Sequence, residues 1–246
     1  MNGVHARARK SRASCLPEAA LPWLSPGQRW AAAPSSEAEL LERAHRLAGC
    51  TVADLAACFD VSLPSHGVRA KGLVGALVER ALGATARSAS IPDFPELGIE
   101  LKTIPLDARG RPRESTFVCT VRLRDIADSA WEASPVCSKL TRVLFVPIEA
   151  GTTLSLGERR IGAARLWSPT RSQQSALRAD WEELAGVIGR GDVEQITAHL
   201  GLHLQIRPKA ASSHVRGRGS DEHGAPVRTL PRGFYLRASF TASIFK

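Results

Sequence analysis

The chain has 246 residues, 33 of them Lys or Arg against 24 Asp or Glu, for a formal net charge of +9. That length can bury one substantial core, at most in two lobes, and no apolar run is long enough to span a bilayer, which argues against a membrane protein. Five cysteines (Cys15, Cys50, Cys58, Cys119, Cys137) are odd in number and lack CxxC spacing, so buried thiols in a reducing compartment are expected, not disulfides or a zinc site.

Residues 1–35 are rich in Arg, Ala, Pro and Ser, with Pro17, Pro22, Pro26 and Pro34 interrupting any regular element, and read as a disordered basic extension. They contain no signal-peptide core, so a cytoplasmic protein is expected. Residues 36–246 read as one folded domain. Ser36 opens an amphipathic helix that stops at Gly49, and the TVAD sequence at 51–54 has the form of a capping box for a second. A third helix is predicted over 71–82, with Gly83 as its stop. Glu79 falls near its end, where spacing alone reads it equally as a surface glutamate.

Two strand-like runs, 99–106 and 115–121, are joined by a turn-rich connection and predict a hairpin. A buried strand is expected around 143–147, with Lys139 just before it. Helices are predicted over 172–188 and 192–199, and a strand over 202–207 delivers Arg207, Pro208 and Lys209 at its end. His199 and His203 have a zinc-compatible spacing, but Gly201 interrupts the helix and no third ligand follows, so they read as ordinary histidines. Residues 212–226, rich in Gly, Ser and Arg, predict a flexible loop. Charge is uneven: residues 205–246 carry eight Lys or Arg against two Asp or Glu. A basic C-terminal face suits a phosphate backbone, although an Arg-rich chain also has Arg-rich surfaces.

The stretch 91–103 (IPDFPELGIELKT) carries the chemistry. Glu100 and Lys102 lie two apart in a strand pattern and so share a face. With Asp93 they could hold a hard divalent cation and place a lysine where a phosphodiester gains negative charge. The same pattern also fits a solvated strand face.

From about residue 37 to 245 the chain resembles the MutH family of methyl-directed mismatch-repair endonucleases. The resemblance is carried by 71–79 (KGLVGALVE), 93–105 (DFPELGIELKTIP), 110–112 (GRP), 116–119 (TFVC), Lys139–Leu140, 180–184 (DWEEL), 204–211 (LQIRPKAA) and 230–236 (LPRGFYL). It implies an α/β fold of the restriction-endonuclease type, a mixed sheet flanked by helices in two lobes around a DNA cleft. It places Asp93, Glu100 and Lys102 at catalytic positions, joined by Glu79 and Lys139. Asp93, Glu100 and the carbonyl of Leu101 would ligate Mg²⁺, Lys102 would orient or deprotonate water, and Glu79 would act through the outer shell or a second metal.

For base reading the resemblance implies Arg207, Pro208, Lys209 and Tyr235, with Lys71 and Phe117 near DNA. By residue type alone Lys71 is a helix-start lysine, and Phe117 and Tyr235 are core aromatics. The implied activity is Mg²⁺-dependent nicking of the unmethylated strand at hemimethylated GATC, by a monomer activated through MutL and, through it, MutS. The chain ends soon after 240–246, without the further C-terminal segment usual in the family, and its N-terminal extension is atypical. Both departures bear on coupling to MutL. Two alternatives remain at this point, a restriction-type enzyme cutting both strands and a DNA-binding module that does not cleave.

Overall fold

The computed structural model describes residues 21–23, 30–64, 72–86, 90–121, 123, 126, 129–192, 196–197, 199–209, 217–220, 226–229 and 231–246. Lys71 and Cys15 lie outside them. The N-terminal helices follow their capping chemistry. Helix α1, Glu37–Leu47, starts where the Ser36 hydroxyl accepts from the Glu39 N–H, and it buries Leu40, Ala44 and Leu47 at helical spacing. Helix α2, Val52–Cys58, carries the predicted capping box, with Thr51 and Asp54 each accepting from the other's N–H. Helix α3, Leu73–Leu82, ends at Gly83, whose φ is +81°. A side chain there would also collide with the Ala32 carbonyl, because the segment before α1 packs across this helix end.

That packing corrects the expected disorder for part of the extension. Trp23 and Trp30 donate their indole N–H groups to the carbonyls of Ala81 and Ala84, and Leu21 and Ala31 are buried. Each indole pairs apolar burial with a satisfied N–H, which favours docking of the described residues 21–23 and 30–35.

Strands β1, Glu100–Leu106, and β2, Thr116–Thr120, are followed by helix α4, Pro135–Leu140, and then by β3, Val143–Glu149. After β3 come β4, Arg165–Trp167, α5, Arg171–Gly189, β5, Leu204–Pro208, β6, Gly217–Ser220, β7, Pro226–Thr229, β8, Arg232–Leu236, and α6, Ala238–Ile244. The fold is mixed α/β. Its mixed sheet is the three-stranded β1-β3-β4, in which β1 runs parallel and β4 antiparallel to β3. A second, antiparallel sheet has the order β2-β8-β5, and β6 pairs with β7. Among the described residues there are thus two three-stranded sheets and one two-stranded pair where a single central sheet was expected.

The predicted hairpin of 99–106 with 115–121 does not form. Its ladder is confined to the turn, where Leu106 bridges Pro112, and β2 then leaves to pair with β8. Pro105 accepts from the Arg113 N–H but has no N–H to return the bond and extend the ladder on that edge, and β1 instead takes the buried strand β3 as its partner. The loop expected at 212–226 contains β6 and the start of β7. Of the helix expected over 192–199, residues 192, 196, 197 and 199 are not helical, and the remainder lie outside the described residues.

Two hydrophobic cores sandwich the mixed sheet. Alternate residues of β3 serve each: Leu144, Val146 and Ile148 face the core of α1, α2 and α3, while Val143 and Phe145 face the core built with α4, α5, α6 and the second sheet. Among the described residues no helix is long and apolar enough to cross a membrane.

The entry to β5 is fixed by one buried carboxylate. Asp180 of α5 accepts from the N–H groups of Leu202, His203 and Leu204 at 2.7, 2.6 and 2.8 Å. Removing it leaves three backbone donors without their acceptor, one of them fully buried, so Asp180→Ala is expected to destabilise the fold by about 3 kcal/mol. Asp180→Asn, which keeps one acceptor oxygen, loses less. Urea unfolding followed by tryptophan fluorescence measures both, and a loss under about 1 kcal/mol for the alanine variant would show the clamp to be dispensable.

Candidate active site

The chain reverses just before β1, and this reversal builds the site. Phe94 and Ile99 bridge across a single 3-10 turn, Pro95–Leu97, closed by Gly98 in the left-handed region. Asp93 is thereby folded back on the strand, and its Oδ2 accepts from the Leu101 N–H at 2.9 Å. The Asp93 carbonyl accepts from the Thr85 N–H, which ties it to the chain leaving α3.

Glu100 and Lys102 share a face of β1 as their spacing requires, with Lys102 Nζ 2.5 Å from Glu100 Oε1. Lys139, in the last turn of α4, reaches Glu100 Oε2 at 2.8 Å and also donates to the Ile91 carbonyl at 2.9 Å. Asp93, Glu100, Lys102, Lys139 and Glu79 line one open cavity of about 570 Å³, and Lys209 enters it from the second sheet. Leu101 lines the same space.

Across the cavity the second sheet assembles the other expected residues. Phe117 of β2 meets Tyr235 of β8 edge-on, with ring centroids 5.3 Å apart. The Arg207 guanidinium lies over the Tyr235 ring at 5.9 Å, and the Lys209 ammonium lies over Phe117 at 4.1 Å. Pro208 ends β5 opposite Arg232. Tyr235 and Phe117 line an adjoining cavity with Glu79 and Lys102, so the two groups of residues face each other. Lys71 lies outside the described residues. Sequence reasoning did not single out Cys119, Ser115 or Thr120. Strand alternation would have placed 115, 117 and 119 together, but an irregularity in β2 moves Thr120 onto that face.

Residues 82–180 match the family described as "DNA mismatch repair enzyme MutH". The chain is 50% identical over 212 residues to the DNA mismatch repair protein MutH of Pectobacterium atrosepticum, which covers 86% of this chain and 92% of that relative. It is 49% identical over 211 residues to the protein of the same name from Serratia proteamaculans, covering 86% and 92%. With that of Vibrio vulnificus it shares 46% over 213 residues, covering 87% and 94%.

The chain belongs to the MutH family. The family match over residues 82–180 of this MutH-family chain includes Asp93, Glu100, Lys102 and Lys139.

The electrostatics of the site are those of carboxylates crowded together. Burial, then the charge of Asp93, pushes Glu79 up to about 7, an effect that Lys102 moderates. Burial and Glu100 likewise raise Asp93, against the pull of Lys102 and the Leu101 N–H. Burial pushes the Cys119 thiol up to about 11, so it stays protonated at neutral pH and is no nucleophile.

Among the described residues no three His, Cys, Asp or Glu side chains converge tightly enough to make a preformed metal shell. The charge balance nonetheless fits a hard divalent cation. Asp93 raises Glu79, and Glu100 raises both, through repulsion that such an ion relieves, and all the side-chain donors are oxygens.

The Glu79 shift has a consequence for the metal-free protein. A carboxyl with a folded pKa of about 7 and an unfolded one of about 4.5 binds its proton more tightly when folded. Stability therefore falls as pH rises from 4.5 to 7 and stays lowered above that window. Discounted for partial exposure, the loss is about 2 kcal/mol. Glu79→Gln is expected to unfold at higher denaturant than wild type at pH 8 in EDTA, with the advantage gone at pH 4.5. Equal shifts at both pH values would show that the Glu79 charge is not the cause.

Proposed function

We propose that this protein is a Mg²⁺-dependent endonuclease of methyl-directed mismatch repair, nicking the unmethylated strand at hemimethylated GATC. The observation that carries the reading is the juxtaposition of Asp93, Glu100 and Lys102 with Lys209, Tyr235 and Phe117 across one cavity. Membership of the MutH family supplies the biological setting. In this reading the two hydrophobic cores belong to the two lobes of a DNA cleft. The enzyme works as a monomer in the cytoplasm, activated by MutL and, through it, MutS.

Asp93, Glu100 and the Leu101 carbonyl would hold Mg²⁺, which when bound supplies Lewis acidity toward the scissile phosphate and its attacking water. For Glu100 to serve, one of its lysine partners releases a carboxylate oxygen. Lys102, the more exposed of the two, is placed to turn from that oxygen to the water and orient it as a hydrogen-bond donor; it could take up the water's proton only after giving up one of its own. Lys139 stays with Glu100 and the Ile91 carbonyl and holds the 91–93 segment against β1. Glu79, near neutrality on the titration scale, can bridge to water in the outer shell.

Arg207 and Lys209 have the donor geometry for guanine O6 and N7, and the adjoining Pro208 stiffens their backbone. Burial raises the Tyr235 phenol above its ordinary value, with Arg207 pulling the other way, so it remains a neutral donor. Methylation of adenine N6 removes one hydrogen and adds bulk in the major groove, and a rigid phenol responds to both.

Glu100→Ala is expected to bind GATC duplex in Ca²⁺ as wild type does and to lose nicking in Mg²⁺ by at least about a hundredfold. Nicking within a few-fold of wild type by the folded variant would remove Glu100 from the mechanism. Tyr235→Ser is expected to cut methylated GATC strands that wild type spares, while keeping substantial activity on unmethylated DNA. Mapping cuts on unmethylated, hemimethylated and fully methylated duplexes, with and without Mg²⁺ and MutL, tests the sensor and the function together. Paired cuts in both strands without MutL would instead indicate a restriction-type enzyme.

A further inference from the structure

The face of the second sheet that looks toward the carboxylates is set by a break in the period of β2. The β2–β8 register shifts between Phe117 and Cys119, so Cys119 stands opposite Phe234 while Thr120 stands opposite Gly233. A bulge of this kind inserts one residue and turns over the side chains that follow it. Thr120 therefore joins Phe117 on the cavity face. On β5, Gln205 and Arg207 pair with Tyr235 and Gly233 and lie on that face too.

Two hydroxyls on this face grip the basic residues. Ser115 Oγ accepts from Gln205 Nε2 at 2.8 Å and from Arg207 Nη1 at 3.1 Å. Thr120 Oγ1 accepts from Lys209 Nζ at 3.1 Å. Gln205 is buried, so its amide is a fixed reference point for Ser115. The Lys209 N–H donates to the Pro231 carbonyl at 2.7 Å, which fixes the backbone beneath the ammonium. Between the two grips lies Gly233. A Cβ there would stand 2.8 Å from the Phe117 ring and 3.1 Å from the Tyr235 ring, so the open glycine lets both rings lie over the strand.

We infer that Ser115 and Thr120 are positioning residues for base recognition, holding Arg207 and Lys209 in the orientation in which they meet the base edges. The inference rests on the assignment of Arg207 and Lys209 as base-reading residues. A phosphate contact tolerates a swinging side chain, because charge acts over distance. A base-edge contact does not, since its discrimination depends on two donors meeting two fixed acceptors. Long basic side chains lose rotamer freedom on binding, and a hydroxyl that restrains them beforehand lowers that cost for the correct sequence. The removal of either hydroxyl is therefore read in specificity.

The test compares nicking of hemimethylated GATC with nicking of duplexes carrying one altered base pair. Ser115→Ala and Thr120→Val are each expected to lower the preference for GATC about fivefold, the effect of one modest hydrogen bond. Ser115→Thr and Thr120→Ser, which keep the hydroxyl, are expected to restore it. In an Arg207→Ala background Ser115→Ala is expected to have no further effect on the preference, because its proposed partner is gone. A merely structural serine would still act there.

Unaltered preference in both hydroxyl-free variants, or an equal loss of rate on every duplex, overturns the positioning role while leaving the nuclease reading intact. A wild-type protein that nicks all duplexes alike overturns the base-reading assignment itself, and with it this inference. Thermal unfolding of each variant, monitored by circular dichroism, confirms that the comparison is made on folded protein.

Discussion

A carboxylate buried to 2% exposure between two ammonium groups is the constraint around which the rest of this structure is arranged. Alone, the Glu100 charge would carry a desolvation penalty of several kcal/mol, and stripping one partner from such a pair costs about 3 to 5 kcal/mol. Lys102 comes with the strand at no topological expense. Lys139 comes from 39 residues further on, and its arrival requires the last turn of α4 to lie within a lysine's reach of Glu100. The parallel pairing of β1 with β3, which follows α4 directly, is then the short route for the chain. The same ammonium holds the Ile91 carbonyl, so the loop that carries Asp93 is drawn in by the group that neutralises Glu100.

The opposite wall is held by weaker forces. Its cations rest on aromatic faces, contacts of about 0.5 to 1 kcal/mol at exposed sites, and on single hydroxyls. One wall is thus rigid and charge-compensated, and the other is pre-ordered yet can exchange its contacts for those of a bound duplex. Lys209 belongs to both, since it lies over Phe117 while entering the cavity of Glu100 and Lys102. In the proposed function, sequence recognition and chemistry would meet at that side chain.

Support for the site extends well beyond its lining. Helix α3 presents Glu79, and its end is covered by the segment bearing Trp23 and Trp30, with the Arg43 guanidinium lying over Trp23 and that of Arg80 over Trp30. The N–H of Ala31 donates to the Arg80 carbonyl, which satisfies one of the helix's last acceptors. On the other side, Asp180 sets where β5 begins, and so where Arg207 and Lys209 emerge.

Local chemistry was legible in the amino-acid sequence. Ser36, Thr51 with Asp54, and Gly83 mark helix ends because caps act within one turn, and Glu100 and Lys102 share a face because the strand period is two. The motifs around Asp93, Arg207 and Tyr235 carried the family resemblance. Tertiary structure alone decided the partners: that β1 pairs with β3 and not with β2, that Lys139 closes on Glu100, and that Trp23 and Trp30 dock on the end of α3. It alone decided that Thr120 joins Phe117, because a bulge is set by the partner strand and leaves no mark in alternation. Capping and pleat act between residues a few positions apart, so the sequence displays them. Pairing, charge compensation and burial act between residues tens of positions apart, and only the folded chain brings those together.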